Sequence, residues 1–444
     1  MIPKNKLKTL IALTITIGLL TSPTTPKTGH VKRILNSLLK TESLKDSIFP
    51  EDFKSGKIGI TDDPAHNKVF YWFFAARNNP ATAPLVIWFT GGPGCSSELA
   101  VVFENGPFTL NRDFTVTKNP YSWNVNANLL YIDQPIGTGF SEATEDKYAK
   151  DQAMVKAYFV EFFQKWLQEF PEFKGRPLYI TGESYAGHYI PQIGNALFLL
   201  NSPDVNLKGL AIGNGWTTPV PQNVAAVSYL YDNNNLTYTK GYTKADFERD
   251  LKITNLGNYD LPRFNPFHAL GDPSDIVDVA QQQLLQMPFN KYDIRIKCEG
   301  DLCYNLDFVR QFFIRNDVQQ ALGVNDKGYQ LCNNAVGTAL GKHDHRTDAA
   351  LNLIQLVEAG LEILFYTGEY DLICNWYGTV GILQELDWSG QVQWNKAKDV
   401  ETQFGVERRY MNLRFIKFKD SGHMVPHDQP ELALKMLNQF IQME

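Results

Sequence analysis

The stretch LYITGESYAGHYIP, Leu178 to Pro191, decides how the rest of the chain is read. Leu178 to Ile180 is a short apolar run of the kind that forms a buried strand, and Gly182-Glu183-Ser184-Tyr185-Ala186-Gly187 follows at once and opens a helical segment. A serine between glycines on a strand-to-helix turn is the setting of a nucleophile elbow of the G-x-S-x-G type. There the tight turn exposes the hydroxyl toward a helix N-terminus, and a Cβ on either flanking glycine would collide with the neighbouring strand or helix. The short pattern is common, and its plain alternative is an ordinary strand-helix turn; its position between strand and helix raises it above that alternative.

Outward from this turn, buried-strand runs recur at Leu85 to Phe89, Leu129 to Ile132, Leu207 to Ile212, Leu361 to Tyr366 and Leu413 to Phe418. Lys57 to Ala76 alternates as an antiparallel hairpin turning at Asp62, Asp63 and Pro64. The clearest helix is Lys150 to Phe170, where Val155, Phe159, Phe162, Phe163, Trp166 and Phe170 recur every three or four positions and Pro171 stops the pattern. Strands alternating with helices predict an α/β fold, a mostly parallel sheet flanked by helices. From Thr217 to Thr347 the rhythm breaks into a segment rich in Asn, Asp, Gln, Tyr and Pro that holds three of the five cysteines. It reads as an insertion, residues 217–347, between two parts of one core, residues 47–216 and 348–444.

The chain has 444 residues, 43% of them apolar and 20% charged, enough to bury a large core, which excludes disordered and collagen-like classes. Its net charge is −6 and it has no long Lys/Arg run, so neither nucleic acid nor an anionic membrane is expected as partner. Lys4, Lys6 and Lys8 precede the apolar stretch Thr9 to Leu20, after which Thr21, Ser22 and Pro23 break it. Residues 1–22 read as a secretory signal, too short to span a bilayer, so no membrane anchor is expected and the compartment is oxidising. Residues 23–46 read as a propeptide or an N-terminal arm. Five cysteines then allow at most two bridges and one leftover thiol. Asn235, in Asn235-Leu236-Thr237, is the sole glycosylation sequon.

A serine hydroxyl needs a general base and an orienting acid, in the chain order Ser, Asp or Glu, His for such an elbow. Glu369 and Asp371 follow the strand Leu361 to Tyr366, and His423 follows Leu413 to Phe418, each at a C-terminal strand end where α/β sheets place their sites. Asp371, farther along its loop, is preferred to Glu369. His188, four residues beyond Ser184 on the same helix, cannot reach its Oγ and reads as a packing or hydrogen-bonding residue. His423 and His427 have the spacing of a zinc pair, but Pro426 argues against the helix such a pair needs, so no metal is expected. The turn Gly91-Gly92-Pro93-Gly94 can place a backbone N–H beside that of Tyr185 to stabilise an oxyanion; it lacks the Lys-Ser/Thr ending of a phosphate loop.

WFTGGPGCSS (88–97), FENGPF (103–108), YIDQPIGTGFS (131–141), GESYAGHYIP (182–191), IGNG (212–215), YDLICNW (370–376) and GHMVPHDQP (422–430) together resemble the serine carboxypeptidases of the carboxypeptidase Y and cathepsin A type, from about Phe53 to the C-terminus. The resemblance implies an α/β-hydrolase fold with a lid insertion, and removal of single residues from the C-termini of peptides and proteins at acidic pH, without cofactor or metal. It implies Ser184 as nucleophile, His423 as base, Asp371 as orienting acid, and Gly92 and Tyr185 as oxyanion donors. Glu104 and Glu183, with Trp88, Thr90 and Gly91, would bind the substrate carboxylate, beside a pocket containing Cys374 and Met424. Two carboxyls held close cannot both ionise cheaply, so such a pair keeps a proton to donate to that carboxylate. The resemblance also pairs Cys95 with Cys332 and Cys298 with Cys303, leaving the Cys374 thiol free.

A lysosomal, vacuolar or extracellular destination follows, as monomer or homodimer. Members of this family usually carry Asn where this chain has Thr90, so carboxylate affinity is expected to be lower. Acyltransferases that resemble the family, the rival reading, typically replace the glutamate before the serine with Asp, whereas Glu183 is retained here. The intact Ser184, Asp371 and His423 argue against a third reading, a purely protective partner of other lumenal proteins.

Overall fold

The computed structural model describes residues 44–233, 236, 289–300, 303–325, 328–344 and 347–442. The expected signal segment, nearly all of the expected arm and Asn235 lie outside them. In chain order the strands are β1 (Lys54–Gly59), β2 (Lys68–Phe74), β3 (Leu85–Phe89), β4 (Phe108–Leu110), β5 (Val116–Lys118), β6 (Asn128–Ile132), β7 (Pro177–Glu183), β8 (Asn206–Gly213), β9 (Glu362–Gly368), β10 (Val400–Thr402), β11 (Gly405–Tyr410) and β12 (Leu413–Phe418). The helices are α1 (Glu98–Phe103), α2 (Gln152–Glu169), α3 (Ala186–Leu200), α4 (Pro219–Asp232), α5 (Asp307–Phe313), α6 (Asn316–Ala321), α7 (Asn334–Asp344), α8 (Leu353–Glu358), α9 (Trp376–Glu385), α10 (Gln391–Lys396), α11 (Val425–Asp428) and α12 (Pro430–Phe440).

One sheet runs β1-β2-β6-β3-β7-β8-β9-β12-β11-β10. Its centre, from β6 through β12, is parallel, and the hairpins β1–β2 and β10–β11 extend it antiparallel at both edges. After β3 the chain adds β6 on one side and then returns to add β7, β8 and β9 on the other. The strand order therefore reverses between β3 and β7, and the crevice beyond their C-terminal ends is where an α/β sheet binds its ligand.

Both faces of the sheet are covered, which is why its strands read as nearly continuous apolar runs. Along β2 the side chains divide with period two: Val69, Tyr71 and Phe73 enter one core, Phe70, Trp72 and Phe74 the other. Helix α2 is capped by Asp151, which accepts the Met154 N–H, and buries Val155, Phe159, Phe162, Phe163 and Trp166 against the first of these cores. A 3-10 turn beginning at Pro171 ends it. Within the stretch read as an insertion, α5 and α6 send Phe312, Phe313, Val318 and Leu322 into the same core as Phe49 and Trp72. Disulfides join Cys95 to Cys332 and Cys298 to Cys303, and Cys374 is a buried free thiol. Among the described residues no helix is long and apolar enough to cross a membrane.

Candidate active site

Strand β7 ends at Glu183 and α3 begins at Ala186, so Ser184 and Tyr185 make the whole turn at the switch point. Ser184 has φ 64°, a conformation that costs a non-glycine residue roughly 1–3 kcal/mol and is kept only where its surroundings enforce it. Here its N–H donates to Gly213 O and Asn214 O, both at 3.1 Å, and its carbonyl accepts from the N–H groups of Gly187 and Trp216, both at 2.9 Å. A Cβ on Gly182 would lie 2.4 Å from Phe89 O, and one on Gly187 would lie 2.7 Å from Trp216 N. The turn departs from the G-x-S-x-G pattern at its fifth position, which is the buried Ala186. The second glycine comes one residue later, where the helix touches the Trp216 backbone.

His423, on the loop after β12, places Nδ1 2.8 Å from Asp371 Oδ2. Asp371 acts as acceptor, so the Nδ1 proton faces it and the Nε2 lone pair is left for another partner. Nε2 stands 4.0 Å from Glu183 Oε1, beside the elbow. Glu369, the other carboxylate of that loop, points away and accepts the Asp420 N–H. Three further donors converge on Asp371: Asn214 Nδ2 at 2.8 Å on Oδ2, and the Ile373 and Cys374 N–H groups at 3.1 and 3.4 Å on Oδ1. They fix the orientation of its carboxylate. The His423 loop is fixed in turn by the His423 N–H on Tyr292 O at 2.7 Å and the Gly422 N–H on Asp428 Oδ2 at 2.7 Å.

The turn after β3 lies directly against the elbow, since a Cβ on Gly91 would meet Tyr185 N at 2.3 Å. Tyr185 stands at the N-cap of α3, whose partial positive charge suits an anion. Its phenol donates to Asp344 Oδ2 at 2.8 Å and its ring stacks on His188. His188 is fully buried, with Nδ1 against Trp216 O.

Glu104, just past α1, and Glu183, at the end of β7, face one another in the interior, 4% and 3% exposed. Beyond each other, Oε1 and Oε2 of Glu104 and Oε2 of Glu183 have no hydrogen-bond partner among the described residues. Burial pushes the Glu104 carboxyl up to about 7, against the pull of its Glu183 hydrogen bond and of His423. Burial, then the Glu104 charge, drives Glu183 well above the usual carboxylate range. At acidic pH the pair therefore holds at least one proton.

Ser184, His423, Glu183, Thr90, Gly91 and Gly92 border one cavity of about 170 Å³, with Tyr292, Tyr304 and Met424 as its apolar wall. Trp88 does not border the cavity and touches it through Thr90, its indole N–H donating to Thr90 Oγ1 at 3.0 Å. The Thr90 hydroxyl thus has a lone pair engaged and its proton still to give. Cys374 is 2% exposed, lies behind Asp371 and does not border the cavity. Burial raises its thiol well above the usual range. Asp371, Cys374 and His423 do bring three ligand atoms within 4.8 Å of one another, but the histidine Nδ1 and the aspartate are already spent on each other. A four-residue helix, α11, forms here with Pro426 in its first turn, but it begins at Val425 and so is not a helix carrying both histidines. His423 precedes it, and His427 turns to Phe103, donating from Nδ1 to Phe103 O at 2.9 Å, so the two histidines form no pair.

Asn214, Tyr292 and Asp428 escaped the sequence reading. Asn214 and Asp428 left a signal, in the IGNG stretch at the end of β8 and the GHMVPHDQP stretch after β12; Tyr292 left none.

The profile described as serine carboxypeptidase matches residues 47–443. Serine carboxypeptidase-like 48 of Arabidopsis thaliana is 38% identical over 391 residues, covering 84% of this chain and 75% of its own. Serine carboxypeptidase 3 of Hordeum vulgare is 37% identical over 395 residues, with 84% and 75% covered. Among solved structures, a prohormone-processing carboxypeptidase from Saccharomyces cerevisiae superposes with a TM-score of 0.73 at 27% identity, covering 88% of this chain and 91% of its own.

Proposed function

This chain belongs to the serine carboxypeptidase family and hydrolyses peptide bonds at C-termini; we propose that Ser184, His423 and Asp371 carry the reaction and that Glu104 and Glu183 select the free terminal carboxylate. His423 Nε2 takes the Ser184 Oγ proton as Oγ bonds to the scissile carbonyl carbon. The resulting oxyanion meets the N–H groups of Gly92 and Tyr185 at the N-terminus of α3. Collapse breaks the C–N bond, and His423 returns the proton to the departing amine. Water then repeats the sequence on the acyl-enzyme and restores Ser184. Asp371 holds the imidazole and balances its charge.

The observation that carries the selection is the buried Glu104–Glu183 pair with its unpartnered oxygens, of which Glu183 borders the cavity together with Ser184. With its proton it donates to a substrate carboxylate, aided by the Thr90 hydroxyl; without it the pair repels that group. We read residues 217–347 as an insertion that closes this cavity, through Tyr292, Tyr304 and the Cys95–Cys332 bridge. The two disulfides and the basic-then-apolar N-terminus support a secretory route to a lysosome, vacuole or the exterior. The test is to incubate the protein with one peptide in free and C-terminally amidated forms at about pH 5 and follow released amino acids. Release from the free peptide that Ser184→Ala abolishes is the expected result, and release that survives the substitution contradicts it.

A further inference from the structure

A second buried carboxyl pair lies outside the catalytic machinery. Glu98 begins α1 and Asp133 follows β6; they are 1% and 0% exposed and hydrogen-bond to each other through their side chains. Unlike the first pair, this one is saturated. Asp133 accepts the Ser97 N–H on Oδ1 at 3.0 Å and the Phe140 N–H on Oδ2 at 2.7 Å. Ser96 Oγ donates to Glu98 Oε2 and itself accepts from the Tyr329 hydroxyl at 3.3 Å. Two backbone N–H groups favour a negative charge on Asp133, so the single proton of the pair sits on Glu98 and points to Asp133.

This network holds the segment from which the oxyanion donor projects. Ser97 Oγ accepts the Thr90 N–H at 3.2 Å and donates to Ile132 O at 2.7 Å. The Ser96 N–H donates to Leu331 O at 2.8 Å, next to the Cys95–Cys332 bridge. Ser97 thus closes residues 90–97 into a loop by accepting the Thr90 N–H, with Gly92 inside it, and the 94–97 end of that loop is tied both to Asp133 and to the 331–333 segment. We propose that Glu98 and Asp133 are positioning residues for the oxyanion turn, and that the proton between them is what keeps Gly92 in place. The proposal rests on Gly92 serving as oxyanion donor. When Glu98 gives that proton up its O–H bond breaks and the proton passes to solvent water; two like charges then face each other in a dry interior, and the cheapest relief is to part α1 from the end of β6. Tyr329 is the titratable side chain facing the pair from the 328–331 segment, its phenol held neutral by burial and then by the Glu98 and Asp133 charges. The 91–97 turn and the 138–141 loop bring only hydroxyls and backbone N–H groups, and neither carboxyl forms an ion pair with a Lys, Arg or His among the described residues. Burial followed by the charge of its partner raises Glu98 well above its usual range, and burial likewise raises Asp133, so the proton stays on the pair at pH values where an ordinary glutamate has given it up.

The test uses an ester substrate without a free carboxylate, which takes the Glu104–Glu183 pair out of the measurement. Glu98→Gln keeps a donor toward Asp133 that cannot ionise, so the ratio of kcat at about pH 8 to kcat at about pH 5 should rise at least about fivefold over the wild-type ratio. Asp133→Asn presents an amide donor to N–H groups that need an acceptor, and should lower kcat about tenfold while KM for the ester stays within about twofold. A wild-type pH ratio in Glu98→Gln overturns the proposal. Should that variant fail to fold, hydrogen exchange on the wild-type protein decides. Protection of amides 90–97, corrected for intrinsic rate, should fall between about pH 5 and pH 8 relative to those of β7, and unchanged relative protection overturns the proposal. Inactive ester hydrolysis by the wild-type protein would instead break the catalytic assignment itself.

Discussion

The chain buries two pairs of facing carboxyls, and the contrast between them separates a group that awaits a ligand from one that builds the protein. Among the described residues Glu104 and Glu183 leave three oxygens without a partner other than each other, and Glu183 borders the cavity that holds Ser184 and His423. Glu98 and Asp133 have theirs filled by Ser96 and by two backbone N–H groups. Burial and like charge are common to both, and both retain a proton for that reason. A buried polar atom left unsatisfied costs about 1–3 kcal/mol, and such a cost is tolerated where binding removes it. On the proposed reading the open pair is the one that meets substrate, and the closed pair holds backbone.

The contrast breaks most sharply if the open pair is not where the carboxylate binds. Removing one member, Glu183→Ala, should lower kcat/KM on a free peptide about 100-fold at acidic pH, the worth of one or two charge-assisted hydrogen bonds, and leave an ester or amide end within about threefold. Equal losses on both substrates would make Glu183 a structural residue like Glu98. A smaller effect sharpens the same idea at the acid of the triad, which resembles the closed pair in having its oxygens filled. Asn214→Ala deletes one donor to Asp371 and should reduce kcat about tenfold with KM nearly unchanged, as expected for a group acting through His423. A change confined to KM would contradict that role.

The smallest effect is on stability, where the two pairs should act alike. Glu104 is raised from 4.5 to about 7 and Asp133 from 3.8 to about 6, so the folded chain binds more protons than the unfolded one in between. Their contribution is complete below about pH 4 and is lost as pH rises through about 6 to 7. The Tm should accordingly fall by a few degrees over that interval, and Glu98→Gln should shallow the decline. A Tm that climbs across it would contradict the protonated state assigned to both pairs.

Much of this architecture is written locally. Each central strand is an apolar run because both faces of the sheet are covered, and Leu85–Phe89 and Leu413–Phe418 appear with the bounds their sequence suggests. The β10–β11 hairpin carries Glu407, Arg408 and Arg409 at an exposed edge and gives no such run, so it was not legible. The order Ser184, Asp371, His423 could be read because each residue sits at a strand end. Asn214 and Tyr292 could not, since their roles exist only where loops from distant segments meet, and Asp428 could not because its bond to the Gly422 N–H depends on how the chain between them turns. Glu98 and Asp133 were hidden for a related reason: 35 positions apart, each looks like an ordinary surface acid until the fold buries them side by side. The elbow itself shows where a pattern gives way to contact, because what requires the second glycine is the Trp216 backbone and not a fixed count from the serine.

The central claim is that a shared proton in the open pair recognises the substrate's terminal carboxylate, and the pH dependence of KM for one peptide with a free and an amidated C-terminus tests it most directly. KM for the free peptide should rise steeply as pH passes about 7, where Glu104 gives up its proton, while KM for the amidated peptide stays flat. Parallel profiles for the two ends would contradict the account.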